Sequence, residues 1–427
     1  MLYTALTVLL VMLVAAVPVT AGLGWLGLIL DGVYSPFSMR AMMGQVAWST
    51  STSYLLITIP FYVMLGEILL KSGIAARMYN AIAPAVSWLP GGLMHSNVAV
   101  SGMFAAVSGS SAATAITIGT VAMEQVEKRG YNERLFLGTI VAGGTLGILI
   151  PPSINLVIYG VITETSIPQL YLAGIIPGAL LMILFMATVL VICLIRPNFG
   201  GNPMESTGVG LLKVLPDLIR PVVIFVAVIG SIYGGFATPT EAAALGILIA
   251  LILTAMDGAL SLRMLLSVFE STMRTTGLIM AILIASYFLN VVITMLGIPR
   301  ALASAVATAD LGRTEIILIV IALYLVVGMF METLSMMIAT VPITAPIVIA
   351  AGWDPIWFGI LVVLLMETAL LTPPVGMNLF IVQGIRPRGD LRDVIIGSLP
   401  FLVALLLMVA LVTIAPSIVL WLPSLLP

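Results

Sequence analysis

The sequence predicts an all-α polytopic membrane protein built from two inverted structural repeats, and three observations predict it. Its 427 residues are 61% hydrophobic and 8% charged, with a mean hydropathy of +1.24; a soluble domain carries about a quarter charged residues. A proline pair followed by Asn interrupts an apolar run at Gly147-Ile148-Leu149-Ile150-Pro151-Pro152-Ser153-Ile154-Asn155, and the device returns at Thr372-Pro373-Pro374-Val375-Gly376-Met377-Asn378. Pro151 and Pro373 stand 222 residues apart, and Gly130-Tyr131 and Gly352-Trp353 match at the same offset. The duplication therefore covers about the whole chain.

Each repeat is expected to hold about five spans, one re-entrant helical hairpin and one Pro-Pro-broken helix. The boundaries fall at 1–200 and 217–427, with a Gly/Asn/Pro/Ser-rich linker at 201–216. Residues 2–33 are apolar and interrupted at Pro18; they exceed one span of about 20 residues, which leaves two short helices or one long tilted one, and the distribution of basic residues favours two. No Lys or Arg precedes Arg40, so this run lacks the basic flank of a cleaved signal peptide and is expected to stay in the membrane. Ser35 to Ser53 is less apolar and reads as interfacial. Tyr54–Leu70 is a span, and Ile74–Trp88, with Arg77 and Asn80, an amphipathic surface helix. Leu93–Val107 and Ala115–Val126 are each short of a full span and are joined by the polar turn Ser108 to Thr114. That pattern predicts a hairpin at about 90–127 whose tip stops mid-membrane. The broken helix follows at 135–162 and a span at Tyr171–Ile195.

The second half repeats the order. Pro221–Gly235 and Thr240–Thr254 read as spans, Leu260–Arg274 as a surface segment and Leu278–Leu296 as a span. Gly297-Ile298-Pro299-Arg300 corresponds to the Gly73 to Arg77 turn. A hairpin is expected at about 315–349 with Met331 to Ser335 at its tip, a broken helix at 357–384, and a last span at 395–420. A hairpin returns to the side it entered, so five spans per repeat turn the second half over. With the N-terminus outside, 13 of the 16 basic residues fall on the cytoplasmic side and only Arg40, Arg300 and Arg313 outside, as the positive-inside rule favours. Both termini are then expected to be periplasmic.

Proline removes a backbone donor and clashes with the preceding turn, so a helix must break at each pair. In hydrocarbon such a break is tolerated only where protein or a water-filled cavity satisfies the freed groups. A proline pair alone is a kink, and Gly/Ser/Ala runs alone serve close packing; their duplication in matching places points to a transporter's binding site. Half-helix N-termini suit an anionic solute. Unwound carbonyls and hydroxyls suit Na⁺, a hard cation that takes oxygen ligands. The first such site would use Ser110, Ser111, the carbonyls of Gly147 and Ile150, and Asn155. The second would use Thr333, Ser335, the carbonyls around Ala369 and Thr372, and Asn378. Ser108, Thr114 and Glu332 join Asn155, Thr333, Ser335 and Asn378 as substrate-binding or loop-orienting candidates, with Glu332 the foremost acid for cation or proton coupling. Glu67 and Glu367 are expected to bond to neighbouring helices or face a cavity, and Glu241 to act with Thr238 or Thr240 in a helix start.

One cysteine, Cys193, and one histidine, His95, exclude a disulfide framework and Cys- or His-rich metal sites. No nucleic-acid partner is expected, and no P-loop is present for ATP hydrolysis. An intramembrane serine protease needs a nucleophile beside a base, but His95 and the tip serines sit at opposite ends of one hairpin arm. A passive channel fits paired hairpins less well than alternating access does.

Ser108-Gly109-Ser110-Ser111-Ala112-Ala113-Thr114, Gly147 to Asn155, Ala237-Thr238-Pro239-Thr240-Glu241-Ala242-Ala243-Ala244 and Thr372 to Asn378 together resemble the large membrane subunit of the tripartite ATP-independent periplasmic (TRAP) transporters. The resemblance runs over nearly the whole chain. It implies a Na⁺-driven secondary transporter of the bacterial inner membrane, not an enzyme. It implies two partners, a separate small four-helix membrane subunit and a periplasmic substrate-binding protein, and organic acid substrates of the C4-dicarboxylate or sialic acid class. It also implies an elevator mechanism, with hairpins and broken helices moving against a scaffold made of the remaining helices. Carried over by position, one Na⁺ site falls on Ser110, Ser111, Gly147, Ile150 and Pro152, and a second on Gly328, Thr372 and the turn from Val375 to Met377. Binding-protein-independent Na⁺/dicarboxylate symporters with a similar hairpin architecture are the alternative.

Overall fold

Backbone polar groups in hydrocarbon have no water to bond to, so a chain this apolar must satisfy them within each segment. The computed structural model describes residues 4, 7–8, 11–12, 15, 17–202, 211–298, 311–386 and 388–425, and among them every regular element is helical. In the first half these are α1 (Val19–Tyr34), α2 (Met42–Ser51), α3 (Thr58–Lys71, after a 3-10 turn at Tyr54–Ile57), α4 (Ile74–Val86), α5 (Leu93–Ser108), α6 (Ser111–Arg129), α7 (Glu133–Thr145), α8 (Ile154–Thr163) and α9 (Ile167–Ile195). The second half has α10 (Leu211–Tyr233), α11 (Pro239–Met256), α12 (Leu262–Met295), α13 (Arg313–Gly328), α14 (Thr333–Ala350), α15 (Pro355–Leu371), α16 (Met377–Ile385), α17 (Leu391–Ile414) and α18 (Ser417–Leu425).

Six described helical stretches are long and apolar enough to cross a membrane: Tyr54–Lys71, Ile167–Ile195, Pro239–Met256, Leu262–Met295, Thr333–Ala350 and Leu391–Ile414. The chain is thus a multi-pass membrane protein. Thr333–Ala350 reaches span length although the sequence assigns it to a hairpin arm. A surface segment at Leu260–Arg274 followed by a span at Leu278–Leu296 is corrected to one 34-residue helix, α12. No proline lies between Leu262 and Met295, so nothing interrupts the hydrogen-bond ladder. The polar residues Arg263, Glu270 and Arg274 are simply exposed along its length. At 1.5 Å per residue α12 is about 50 Å long, more than the ~30 Å hydrocarbon core. The chain does turn at Pro18, which precedes α1, and the interfacial stretch carries α2. The residues between Met1 and Ala16 that fall outside the description, most of the linker (203–210) and the Pro299-Arg300 turn lie outside the described residues.

The helical path is interrupted at two short turns and at both proline pairs. α5 and α6 meet at Gly109-Ser110, and α13 and α14 at Met329–Glu332. α7 gives way to a 3-10 turn at Leu146–Ile148 before α8, and α15 stops at Leu371 before α16. Packing sorts the helices into two groups. α1, α3, α10, α11 and α12 pack on one another, α12 against α1 and α3, α11 against α3 and α10. The hairpins and broken helices pack together with α9 and α17, and they do so crosswise: α16 lies on α6 and α7, while α8 lies on α14 and α15. The second arm of each broken helix is therefore covered by the other half's hairpin or broken helix, while each break itself is met by its own half's hairpin tip.

Candidate functional site

At the first break, Pro151 and Pro152 bring no N–H, so the carbonyls one helical turn earlier, Gly147 and Ile148, are released from helix pairing. The Ser153 hydroxyl donates to Ile148 O at 2.5 Å, which leaves Gly147 O without a helical partner. The tip of the first hairpin closes on this point. Gly109 takes the left-handed backbone (φ 61°), which glycine adopts without strain, and a Cβ there would stand 2.8 Å from Pro152 O. A Cβ on Gly147 would stand 2.5 Å from Ser110 O and 2.8 Å from Ser111 N. Backbone touches backbone, and Ser110, Ser111, Gly147 and Pro152 share one place. Ser110 Oγ accepts from Ala113 N at 3.3 Å as the cap of α6. Thr114 donates to Ser110 O at 2.8 Å, and its hydroxyl lies 3.2 Å from that of Ser108. These two side chains therefore shape the tip. Ile150 packs on α9, where a Cβ on Gly178 would meet its side chain.

The second break repeats the closure with different contacts. A Cβ on Gly328 would stand 2.6 Å from the Ala369 side chain, and Val375 N donates to Met329 O at 3.3 Å. Thr372 Oγ1 donates to Thr368 O at 2.7 Å, keeping its lone pairs free. Ala369 O accepts from Thr372 N at 3.2 Å. Met377 opens α16, one residue beyond Gly376. At the tip, Glu332 accepts from Leu334 N and Ser335 N, both at 3.1 Å, and from the Thr333 hydroxyl at 3.0 Å. The positive end of α14 is thus occupied by the chain's own carboxylate, where an anionic solute would otherwise sit. The first tip carries only a neutral serine cap.

Asn378 does not face its own tip. Its Nδ2 donates to Val141 O on α7 at 3.3 Å, across the two halves, and its Oδ1 has no partner. Asn155 is buried with Nδ2 unpartnered. Glu367 is fully buried on α15 beside the Thr145 side chain of α7, with both carboxyl oxygens outside full hydrogen-bond geometry. Of the other acids, Glu67 pairs with Lys71 at 3.2 Å, and Glu241 completes a capping box with Thr238. The His95 ring bonds to Pro90 O at 2.9 Å, far along α5 from the tip serines. The hydroxyl and carbonyl oxygens at both breaks, with the unpartnered Asn378 Oδ1 and the Glu367 carboxyl buried nearby in the fold, are the donor set a hard monovalent cation takes.

A cavity of about 410 Å³ opens between α1 and the second tip, lined by Pro18, Leu23, Leu26, Phe330, Glu332 and Val375 among others. The sequence does not announce it, because Pro18 and Glu332 are over three hundred residues apart and only packing brings them together.

Two broken helices met by two helix-pair tips in a multi-pass bundle are an arrangement that suits a membrane transporter. The chain belongs to the family described as "Tripartite ATP-independent periplasmic transporter, DctM component", whose model matches residues 6–418. It is 30% identical to the C4-dicarboxylate TRAP transporter large permease protein of Vibrio cholerae, over 97% of this chain and 96% of that one. It is 32% identical to the sialic acid TRAP transporter large permease of the same organism, over 94% and 97%. It is also 32% identical to the ectoine TRAP transporter large permease of Halomonas elongata, over 87% and 86%. Among solved structures, the YdaH transporter of Alcanivorax borkumensis shares the fold, with a TM-score of 0.70 and 12% identity over 94% of this chain and 98% of that one.

Proposed function

We propose that this chain is the large permease of a Na⁺-coupled uptake system for an organic acid, of the C4-dicarboxylate or sialic acid class, in the bacterial inner membrane. A periplasmic binding protein delivers the solute, and a separate small four-helix subunit completes the membrane unit. The observation that carries the reading is the pairing of each hairpin tip with a proline-broken helix, with freed carbonyls beside hydroxyls. Na⁺ is cargo in this scheme, held at two sites: one by Ser110, Ser111, Gly147, Ile150 and Pro152, the other by Gly328, Thr372 and the turn from Val375 to Met377. The solute enters the cavity beside Glu332. That cavity's described lining holds no Lys, Arg or His, so an organic anion there needs bound cations to offset both charges, which is a physical reason for coupling. The hairpins, broken helices and the two helices packed on them, α9 and α17, move as one unit against α1, α3, α10, α11 and α12, as an elevator built from inverted repeats.

The test is uptake into proteoliposomes holding the full chain with its small subunit. Uptake should require both an inward Na⁺ gradient and a solute-loaded binding protein. Uptake of bare solute would favour the binding-protein-independent symporter, and uptake indifferent to Na⁺ would remove the coupling.

A further inference from the structure

A second cavity, of about 420 Å³, lies at the ends of α7, α9 and α17, away from both breaks. Its floor exists because two glycines let the helices touch: a Cβ on Gly397 would collide with Arg134 O, and one on Gly138 with Gly397 O. Its walls are apolar, with Leu135, Ile192, Ile195 and Pro400, and its rim carries Arg134 and Arg196. Ile195, in its wall, is 72% exposed, and Leu399, beside Pro400 in the chain, is exposed as well. On a helix as apolar as α9, exposed aliphatic side chains of this kind suit contact with acyl chains.

The charges at the rim are not equivalent. Glu133 and Asp393 are both engaged by Arg386, at 2.7 and 3.2 Å, and Asp393 also by Arg134 Nε at 2.9 Å. Arg134 stays 55% exposed and uses only that one nitrogen in the pair. Among the described residues Arg196 has no carboxylate partner; its guanidinium is stacked over the Phe199 ring at 5.4 Å. An aligned guanidinium with free donors, a second beside it and an apolar trough below make a complement to a phosphate that carries hydrocarbon chains. Arg196 follows the last residue of α9 and Arg134 is the second residue of α7, so both sit at helix ends, where basic side chains of a membrane protein meet lipid headgroups.

We propose that this groove is a binding site for an anionic phospholipid, its phosphate held by Arg196 and Arg134 and one acyl chain lying along Ile192, Ile195 and Pro400. The lipid would join the ends of α7, α9 and α17, three helices of the group that surrounds the breaks. The inference is independent of the solute and of Na⁺.

Native mass spectrometry of the full-length protein, with phosphatidylglycerol or phosphatidylcholine of identical chains added, tests it. The wild type should retain phosphatidylglycerol preferentially. Arg196→Ala and Arg134→Ala should each weaken that retention roughly tenfold, the effect of losing one charge-assisted contact, and Arg196→Lys should keep part of it. Arg196 is exposed, and the unfolding midpoint without added lipid should match the wild type. Equal retention of the two lipids overturns the proposal, as does an Arg196→Ala variant that binds like wild type. Displacement of the lipid by millimolar inorganic phosphate would mean a free-anion site, and a lipid-free dimer seated on the groove would mean a protein interface; either outcome overturns it.

Discussion

At the scale of single residues, proline and glycine carry most of the design. Pro151 and Pro152 release carbonyls because they have no N–H to give, and Gly147 allows the hairpin tip to close on them because it has no Cβ. Both effects are local, so both are legible in the sequence. The serines are a different case, since a hydroxyl can cap a helix or bind an ion. Ser110 already caps α6, and its oxygen keeps a further lone pair for a cation. The double variant Ser110→Ala, Ser111→Ala should therefore raise the Na⁺ concentration for half-maximal uptake roughly fivefold, as expected for about 1 kcal/mol of lost contacts. Maximal uptake and an unchanged unfolding midpoint would show that the fold is intact, and an unaltered Na⁺ dependence would take these hydroxyls out of the site. Glu332 was foreseeable as an acid at a tip, but its role as the cap of α14 was not, because Thr333, Ser335 and Glu332 offer several mutually exclusive bonding patterns. Asn378 bonding to Val141 O, 237 residues away, has no local signature at all.

At the scale of elements, the hairpins and breaks were readable because each has a sharp chemical boundary: a small polar turn, or a proline pair. α12 departs from its sequence expectation for the opposite reason. Its polar residues suggest a segment lying on the surface, but a continuous helix exposes them just as well when it is longer than the bilayer is thick. How elements are tied at their ends depends on tertiary contacts. Arg386, at the end of α16, has a side chain only 4% exposed and bonds to Glu133 at the start of α7, to Asp393 in the first turn of α17 and to Asp390 O at 3.0 Å. Arg386→Ala removes these bonds and leaves Glu133 and Asp393 facing each other's charge. Because Glu133 is 44% exposed, water offsets part of the loss, and the expected destabilisation is roughly 1–3 kcal/mol. A fall in the thermal unfolding midpoint of the detergent-solubilised protein checks this, and Arg386→Lys should recover part of the loss. A midpoint identical to wild type would mean the cluster holds nothing together.

At the scale of the whole molecule, the proposed inverted arrangement predicts sidedness. The first hairpin should enter from the cytoplasm and the second from the periplasm, so residues at their feet lie on opposite sides. In a Cys193→Ala background, Ala350→Cys should react with a membrane-impermeant maleimide in intact spheroplasts. Trp88→Cys, at an exposed position before the first hairpin, should react only after permeabilisation. Labelling of both from outside would contradict the inverted arrangement. The sequence alone determined the class of the molecule, the number and place of its interruptions and the residue types at each break, because hydropathy, proline chemistry and a fixed 222-residue offset are properties of the chain itself. Only the tertiary structure decided that α8 and α16 cross over to pack on the other half, that Glu332 fills its own helix end, and that Pro18 and Glu332 line one cavity. Those facts depend on which surfaces bury against which, and close packing selects among arrangements that the same periodicity allows equally.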